Sequence, residues 1–477
     1  MTQANSTVRR LIVGLGVSGL ATARYCLQKG WSFDLCDSRT ELPNHDQLVS
    51  EYPESRLICG EFSAEVFNSY DQLIVSPGIA LAEPAIAAAT ESGVEVVGDV
   101  ELMARHLNDF GKNERPALVS ITGSNGKSTV TSLLTHALCG AGLRAEMAGN
   151  IGVPVLDVLI QEELPEVLVV ELSSFQLETT SSLKSDVAVL LNLSEDHMDR
   201  YEGMDDYLAA KQRIFKGAQQ VVINLDDAAS LPPESVDTHS DEWIGFSVKQ
   251  GEGHTNARFA LQDTGAGSFE LIECDPGSGH TNQAWLNSDA LNLKGLHNLA
   301  NVLAVMALMR GLQVSLLRLD FSAAVESCKT YQGLDHRCQW IGKHSGVDFI
   351  NDSKGTNVGS TLAALAGLAP QVKGRLWLLA GGDTKGQDLS PLQQACADYV
   401  DGLFVYGRDA DRLSDVLAAS VAVQQFETLD QAFAAAVENS KDGDLVLLSP
   451  AAASLDQFMN YIARGVHFQQ LFGGLGA

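Results

Sequence analysis

The chain has 477 residues, of which 45% are hydrophobic and 19% charged; it can fill several cores and is expected to form two to four domains at roughly 100–200 residues each. Its 32 Lys and Arg against 60 Asp and Glu leave a formal net charge of −28, which argues against binding nucleic acid or anionic lipid, since both need a basic footprint. The eight cysteines show no CxxC spacing, the apolar run after Arg9-Arg10 is cut by Gly14, Gly16 and Gly19, and no stretch is long and apolar enough to span a membrane; zinc sites, a disulfide framework, a signal peptide and membrane insertion are not expected, and a reducing cytoplasm fits.

In chain order, three segments repeat a strand–turn–helix pattern typical of a parallel α/β sheet. The first runs to about residue 106, with strands expected at Arg10–Val13, Phe33–Cys36, Leu73–Val75 and Val94–Val96. After its first strand comes Gly14-Leu15-Gly16-Val17-Ser18-Gly19, a G-x-G-x-x-G turn whose glycines let the backbone approach a pyrophosphate. Asp37 ends the next strand, where a ribose-binding acid belongs. Asp37-Ser38-Arg39 and Ser76-Pro77-Gly78 add polar groups to the same crevice, which suits a uridine or a nicotinamide nucleotide.

A polar stretch over 108–116 reads as a linker. The second segment opens with a buried strand at Ala117–Ile121 and continues with strands at Glu166–Val170, Ala188–Leu191 and Val221–Ile223. Between the first of these strands and a helix-like stretch lies Thr122-Gly123-Ser124-Asn125-Gly126-Lys127-Ser128. A Gly-rich turn there aims free N–H groups and the positive helix end at a phosphate; Lys127 can reach the terminal phosphates and the Ser128 hydroxyl can bind Mg²⁺. The spacing departs from the common P-loop, since Gly123 and Gly126 enclose two residues where four are usual. Glu171 ends a buried strand beside this loop and is placed to bind Mg²⁺. His197, in a loop after a further strand, fits a metal ligand and a loop cap equally. Lys211 lies on an expected helix over Tyr207–Phe215. Residues 227–290, rich in Gly, Ser, Asp, Thr and His, read as an irregular or β-rich insertion without a motif. Asn298 and Asn301 open a later helix three residues apart, on one face, as a base-recognising pair would.

The third segment, from near Gly333, has expected strands at Val347–Ile350, Leu376–Leu379, Leu403–Tyr406 and Asp444–Leu448. Loops after three of them carry Asn351-Asp352-Ser353-Lys354-Gly355-Thr356-Asn357, Gly381-Gly382-Asp383-Thr384-Lys385 and Ser449-Pro450-Ala451-Ala452-Ala453-Ser454-Leu455-Asp456, and Asp335-His336-Arg337 leads in. Lysines, an arginine and hydroxyls on one rim can neutralise phosphates and carboxylates, and ligands collect beyond the carboxyl ends of parallel strands.

Together the segments TGSNGKST at 122–129, ELSSFQLE at 171–178, EDHMDRY at 195–201, HNLAN at 297–301, DHR at 335–337, NDSKGTN at 351–357, GGDTK at 381–385 and SPAAASLDQF at 449–458 resemble the Mur ligase family, which builds the peptide stem of peptidoglycan. The resemblance spans nearly the whole chain outside 227–290. The last two segments and the turn at 14–19 point to the member that adds D-glutamate to UDP-N-acetylmuramoyl-L-alanine. The Asp-Asn-Pro-Arg motif of the sister that adds a diamino acid is absent, and folylpolyglutamate synthases lack a Gly-rich first domain of this kind.

The resemblance implies an α/β fold of three domains, each on a mainly parallel sheet: a Rossmann-like UDP-nucleotide domain at 1–106, a central P-loop ATPase at 107–333 and a Rossmann-like C-terminal domain at 334–477 that binds the amino acid. It implies contacts to the uridine nucleotide and muramyl substrate from Val17, Ser18, Asp37, Ser38, Arg39, Gly78 and Asn150. It places ATP on residues 122–128 with Asn298, Arg337 and Asp352, and Mg²⁺ on Ser128, Glu171, His197 and a carbamylated Lys211. Lys127, His197, Lys211 and Lys354 carry the catalytic roles it implies, and Thr356, Lys385, Ser454, Leu455 and Tyr461 the D-glutamate pocket. Ala452 departs from the family's frequent Cys and Tyr461 from its frequent Phe. The implied reaction forms an acyl phosphate on the L-alanyl carboxylate, captured by the D-glutamate amine, in a cytoplasmic monomer. A sister ligase taking another amino acid, an NAD-dependent oxidoreductase reading the first Gly-rich turn literally, and a non-catalytic nucleotide-binding protein stay open as alternatives.

Overall fold

The structure, a computed structural model, describes residues 8–111, 114–198, 200–233, 243–249, 257–265, 267–274, 282–293 and 295–476. Parts of the expected linker and of the 227–290 insertion, and Asp199 of the 195–201 segment, lie outside the described residues.

Three sheets follow one another along the chain. The first comprises β1 (Arg10–Val13), β2 (Phe33–Asp37), β3 (Leu57–Cys59), β4 (Gln72–Val75) and β5 (Glu95–Val97) in the order β3-β2-β1-β4-β5. All its described pairings are parallel. The second comprises β6 (Ala117–Thr122), β7 (Ala145–Gly149), β8 (Val167–Glu171), β9 (Val187–Leu190), β10 (Gln220–Asn224), β11 (Trp243–Ser247), β12 (Ala257–Gly265), β13 (Ser268–Glu273) and β14 (Gln283–Asn287). Its order is β14-β13-β12-β11-β10-β9-β6-β8-β7, parallel from β7 to β12 and antiparallel through β13 and β14. The described part of the insertion is therefore β-rich and extends this sheet. The third comprises β15 (Gln339–His344), β16 (Val347–Asn351), β17 (Leu376–Gly381), β18 (Gly402–Tyr406), β19 (Val423–Phe426) and β20 (Leu445–Leu448), ordered β15-β16-β20-β17-β18-β19, with only β15 antiparallel to its neighbour.

The central parallel strands are short runs of Val, Leu and Ile buried on both faces, as helices on both sides of a sheet require. On one face of the second sheet the helices Lys127–Gly140 and Leu296–Ser315 bury Val130, Leu133, Leu134 and Val302 through Met309 against Val119, Val189 and Val222. The opposite face shares a single cluster with the first sheet: Ile12, Leu35 and Val97 join Leu118, Leu168 and Val170 through the helix Asp99–Asn108. The third sheet has two cores of its own. This layering turns the strand ends Val13, Asp37 and Val75 of the first sheet, Thr122, Glu171 and Leu190 of the second, and Asn351, Gly381 and Leu448 of the third into rims that carry the loops described next.

Candidate active site

The loop between β6 and the helix Lys127–Gly140 is shaped by Gly126, whose φ is 79° and whose missing Cβ would lie 2.6 Å from Asn301 Oδ1. Only glycine fits that left-handed, crowded position, and it lets the helix begin at once at Lys127. The Lys127 ammonium folds back across the loop and donates to the Gly123 and Ser124 carbonyls at 2.7 and 2.8 Å. Ser128 Oγ accepts from Arg337 Nη2 at 2.5 Å, which brings the third segment onto the phosphate-type loop. Two further contacts do the same: Ser360 Oγ donates to Asn125 Oδ1 at 2.6 Å and Asn357 Nδ2 to Asp196 Oδ2 at 3.2 Å.

Between these elements lies a cleft of about 350 Å³. Its walls bring together Ser124, Asn125, Gly126, Lys127, Ser128, Asn150, Glu171, His197, Lys211, Arg337, Lys354, Thr356, Lys385 and Tyr461. Glu171 is 1% exposed; Oε1 accepts from Asn150 Nδ2 at 2.6 Å, while Oε2 has no hydrogen-bond partner among the described residues. A buried carboxylate oxygen without a partner needs a proton or a cation. Lys211 is also 1% exposed and donates to the Gly123 carbonyl at 2.8 Å. Lys354 Nζ sits 4.4 Å from the centre of the Tyr461 ring. His197 adopts φ 58° and packs 4.7 Å from the Phe175 ring.

Crowded cations disfavour their own charge. Burial, then Arg337 and Lys127, hold the Lys354 ammonium down at about 8. Burial also lowers Lys127 and, with Lys127 adding repulsion, drives Lys211 well below the usual lysine range. Burial pushes the Asp196 carboxyl up, but His197, Lys385 and Lys127 outweigh it and keep it low. A site with this balance is complementary to polyanions such as a triphosphate and a carboxylate.

A second cavity, about 280 Å³, adjoins the first and is lined by Asn125, Asn192, His297, Asn298, Asn301, Arg337 and Asp352 among others. Asn301 Nδ2 donates to Asn298 Oδ1 at 3.3 Å, so the two amides share one face as their spacing predicts. Asp352 is 6% exposed, accepts from Ser449 Oγ and the Cys338 N–H, and burial raises its carboxyl to about 6.

The remaining candidates stand elsewhere. Val17, Ser38, Arg39 and Gly78 are exposed on the rim of the first sheet, Ser18 is half-buried beside them, and none of these lines either cavity. There Asp37 accepts from the Leu15 N–H at 2.8 Å and from Arg39 Nε at 2.7 Å, and the Arg39 partnership holds its carboxyl down at about 2. Thr122 turns its hydroxyl inward to the Leu172 carbonyl. Ser454 is buried and Leu455 is 66% exposed, both outside the two cavities.

Family models match three stretches: Mur ligase MurD-like, N-terminal domain, at 8–98; Mur ligase middle domain at 121–309; and Mur ligase, glutamate ligase domain, at 336–452. The chain is 40% identical over 468 residues to the UDP-N-acetylmuramoylalanine--D-glutamate ligase of Pseudomonas putida, covering 98% of this chain and 97% of that one. The chain belongs to the Mur ligase family. The enzyme of the same name from Pseudomonas aeruginosa is 41% identical, with 96% of each chain covered, and that from Shewanella oneidensis 39%, with 97% of this chain and 98% of that one. The fold matches the solved UDP-N-acetylmuramate-alanine ligase of Thermotoga maritima at a TM-score of 0.60 and 18% identity, covering 98% of this chain and 99% of that one. A pseudomurein peptide ligase type C from Methanothermus fervidus gives a TM-score of 0.58 at 16% identity over 98% of this chain and all of that one.

Several residues that line or support this cleft carry no motif of their own in the sequence. Asp196, Asn357 and Ser360 line the cleft or tie its walls, and Tyr207 closes its base with its hydroxyl 3.3 Å from Ser124 Oγ. Arg464, fully buried, donates to the carbonyls of Ser353, Gly381 and Ala452 and so fixes all three loops of the third rim. Asp196 stands next to His197 just past a strand, a signal the sequence did contain; Arg464 sits on a helix far from any motif, and only the fold reveals it.

Proposed function

We propose that this chain joins the L-alanyl carboxylate of UDP-N-acetylmuramoyl-L-alanine to the amine of D-glutamate at the expense of ATP, as a step of peptidoglycan precursor synthesis in the cytoplasm. Relatives of nearly equal length at about two-fifths identity bear that activity's name. The observation that carries the reading is the meeting, in one cleft, of a phosphate-type loop, a half-satisfied buried carboxylate and the cationic rim of the third sheet.

Domain boundaries near 106 and 333 fit the three sheets. Val17, Ser18, Asp37, Ser38, Arg39 and Gly78 would take the uridine nucleotide, and Asn150 the muramyl part. Asn298, Arg337 and Asp352 would take the nucleoside of ATP, with residues 122–128 around its phosphates.

Among the described residues no three His, Cys, Asp or Glu converge as a metal cage. Mg²⁺ commonly takes one or two carboxylates, with water and substrate phosphate oxygens completing its shell. Ser128 and Glu171 Oε2 fit it, with His197 and a carbamylated Lys211 beside them; when bound, it neutralises charge on the phosphates. The backbone N–H groups at the helix start and Lys127 hold the terminal phosphate in line with the acceptor carboxylate. The carboxylate attacks phosphorus, ADP leaves, and an acyl phosphate forms. Lys354, Thr356, Lys385 and Tyr461 hold D-glutamate so that its amine reaches the acyl carbon, while Ser454 and Leu455 lie outside the cleft and would bear on it only from the loop after β20. His197 orients the amine and takes up the proton it loses on attack; the tetrahedral intermediate then expels phosphate.

The test is to offer L-alanine, D-glutamate, L-glutamate and diaminopimelate in turn with matched UDP-muramyl acceptors and MgATP. D-glutamate with the L-alanyl acceptor is expected to give amide product; product with another amino acid instead would replace the reading by that of a sister ligase.

A further inference from the structure

Arg200 follows His197 by three residues, yet its side chain leaves the cleft and crosses to the first sheet. Nη1 donates to the Pro77 carbonyl at 3.0 Å and Nη2 to the Ile79 carbonyl at 3.3 Å. These two carbonyls flank Gly78, on the exposed rim that carries the proposed uridine-nucleotide contacts. Nη2 also donates to Glu178 Oε2 at 3.0 Å, and the guanidinium lies 3.9 Å from the centre of the Phe175 ring, whose own neighbour is the His197 ring. The Arg200 N–H closes the turn under His197, donating to the His197 carbonyl at 2.9 Å. The backbone of Arg200 thus closes the left-handed turn that presents His197, while its side chain stacks on the ring that packs against His197 and holds the Pro77 and Ile79 carbonyls on either side of Gly78.

The chemistry is specific to arginine. A planar fork with several N–H groups can serve two carbonyls and a carboxylate while stacking on a ring; a lysine ammonium cannot. The side chain is 14% exposed, so these are not solvent-screened surface contacts. The first two sheets are also joined without it: Arg24 pairs with Asp157 at 2.6 Å, and Glu101 accepts from the Ser181 and Ser182 N–H groups at 2.7 and 3.0 Å. Arg200 is therefore not needed to hold these parts together, which leaves its reach from cleft to rim to be explained.

We propose that Arg200 is a positioning residue that couples the uridine-nucleotide rim to the reaction cleft, so that seating the UDP end of the acceptor and presenting His197 are one event. The inference rests on the ligase reading above, because it needs an acceptor whose nucleotide lies on the rim while its carboxylate reaches the cleft.

The test compares wild type, Arg200→Met and Arg200→Lys in steady-state kinetics with UDP-N-acetylmuramoyl-L-alanine, D-glutamate and MgATP, and titrates a non-hydrolysable ATP analogue into each protein alone. In Arg200→Met, KM for the UDP acceptor is expected to rise about tenfold, equivalent to one net hydrogen bond to a charged group, and kcat to fall, while affinity for the ATP analogue stays unchanged. Arg200→Lys is expected to recover part of the loss, since an ammonium can still reach one carbonyl. An unchanged acceptor KM, or an equal loss of ATP-analogue affinity, would overturn the proposal. Should Arg200→Met not fold, Glu178→Gln removes the charged lateral anchor and is expected to raise the same KM by a smaller factor; no rise there overturns it equally. Wild-type protein without D-glutamate-dependent phosphate release would remove the ligase reading itself, whereas the variants judge Arg200 alone.

Discussion

Lys127 and Lys354 share a cleft with Arg337; burial lowers both ammonium groups, Arg337 adds repulsion at each, and Lys127 adds more at Lys354. A phosphate between them relieves that repulsion, so the strain of the free site becomes affinity for a transferring phosphoryl group. Lys127→Ala is expected to cut kcat by roughly 100- to 1,000-fold or more, as loss of such a donor does, with little change in melting temperature; phosphate release near the wild-type rate would refute the role. His297 makes a separate point at this scale. Its Nδ1 is buried without a hydrogen-bond partner among the described residues, and burial lowers its pKa from 6.5 to about 4. The unfolded chain takes up a proton there that the folded chain refuses, so the stability this group contributes is full above 6.5 and is lost as pH falls toward about 4. His297→Leu is expected to lose about 2 kcal/mol less than wild type between pH 7 and pH 5, read from urea midpoints; equal losses would contradict a neutral buried imidazole.

Helices and strands set where those groups stand. Gly19 lies inside the helix Val17–Gln28, and an added Cβ would sit 1.9 Å from the Gly14 carbonyl oxygen. The last glycine of the first turn thus serves helix-to-strand packing, and through it the shape of the nucleotide rim. Gly19→Ala is expected to destabilise the protein by about 2 kcal/mol or more and to weaken UDP-nucleotide binding; an unaltered denaturant midpoint would show that the turn yields freely. Elements of this kind were legible in the sequence where one signal dominated. The run Val167–Val170 is apolar on both faces and Leu118–Ile121 is so but for Ser120, so β6 and β8 could be placed, with Lys127 in reach of the loop after β6 and Glu171 at the end of β8. Strands β3, β7, β15 and β19 were not anticipated: LIC is too short, AEMAG and VQQF lack an apolar run, and QWIGKH is an edge strand with mixed faces. The expected strand Val94–Val96 lies one residue later, at Glu95–Val97. The contacts of Arg200 and Arg464 were illegible because their partners, mostly backbone carbonyls, are distant in sequence, and no local pattern records them.

Across the molecule, the cores divide unevenly. The first and second sheets share a hydrophobic cluster, whereas among the described residues the two clusters on the third sheet draw on its own segment. Its ties to the rest include the polar contacts at the cleft: Arg337 to Ser128, Ser360 to Asn125 and Asn357 to Asp196. Residues 334–477 alone are therefore expected to unfold cooperatively as an independent unit, whereas 1–106 alone should expose apolar surface; a molten 334–477 fragment by near-ultraviolet circular dichroism would contradict this division. Among the described residues no helix is long and apolar enough to cross a membrane. The proposed reaction passes an oxygen from the acceptor's carboxylate to phosphate. With heavy oxygen in the L-alanyl carboxylate, MgATP and D-glutamate, each phosphate released is expected to carry one labelled oxygen. Amide formation with unlabelled phosphate would rule out an acyl phosphate in this cleft.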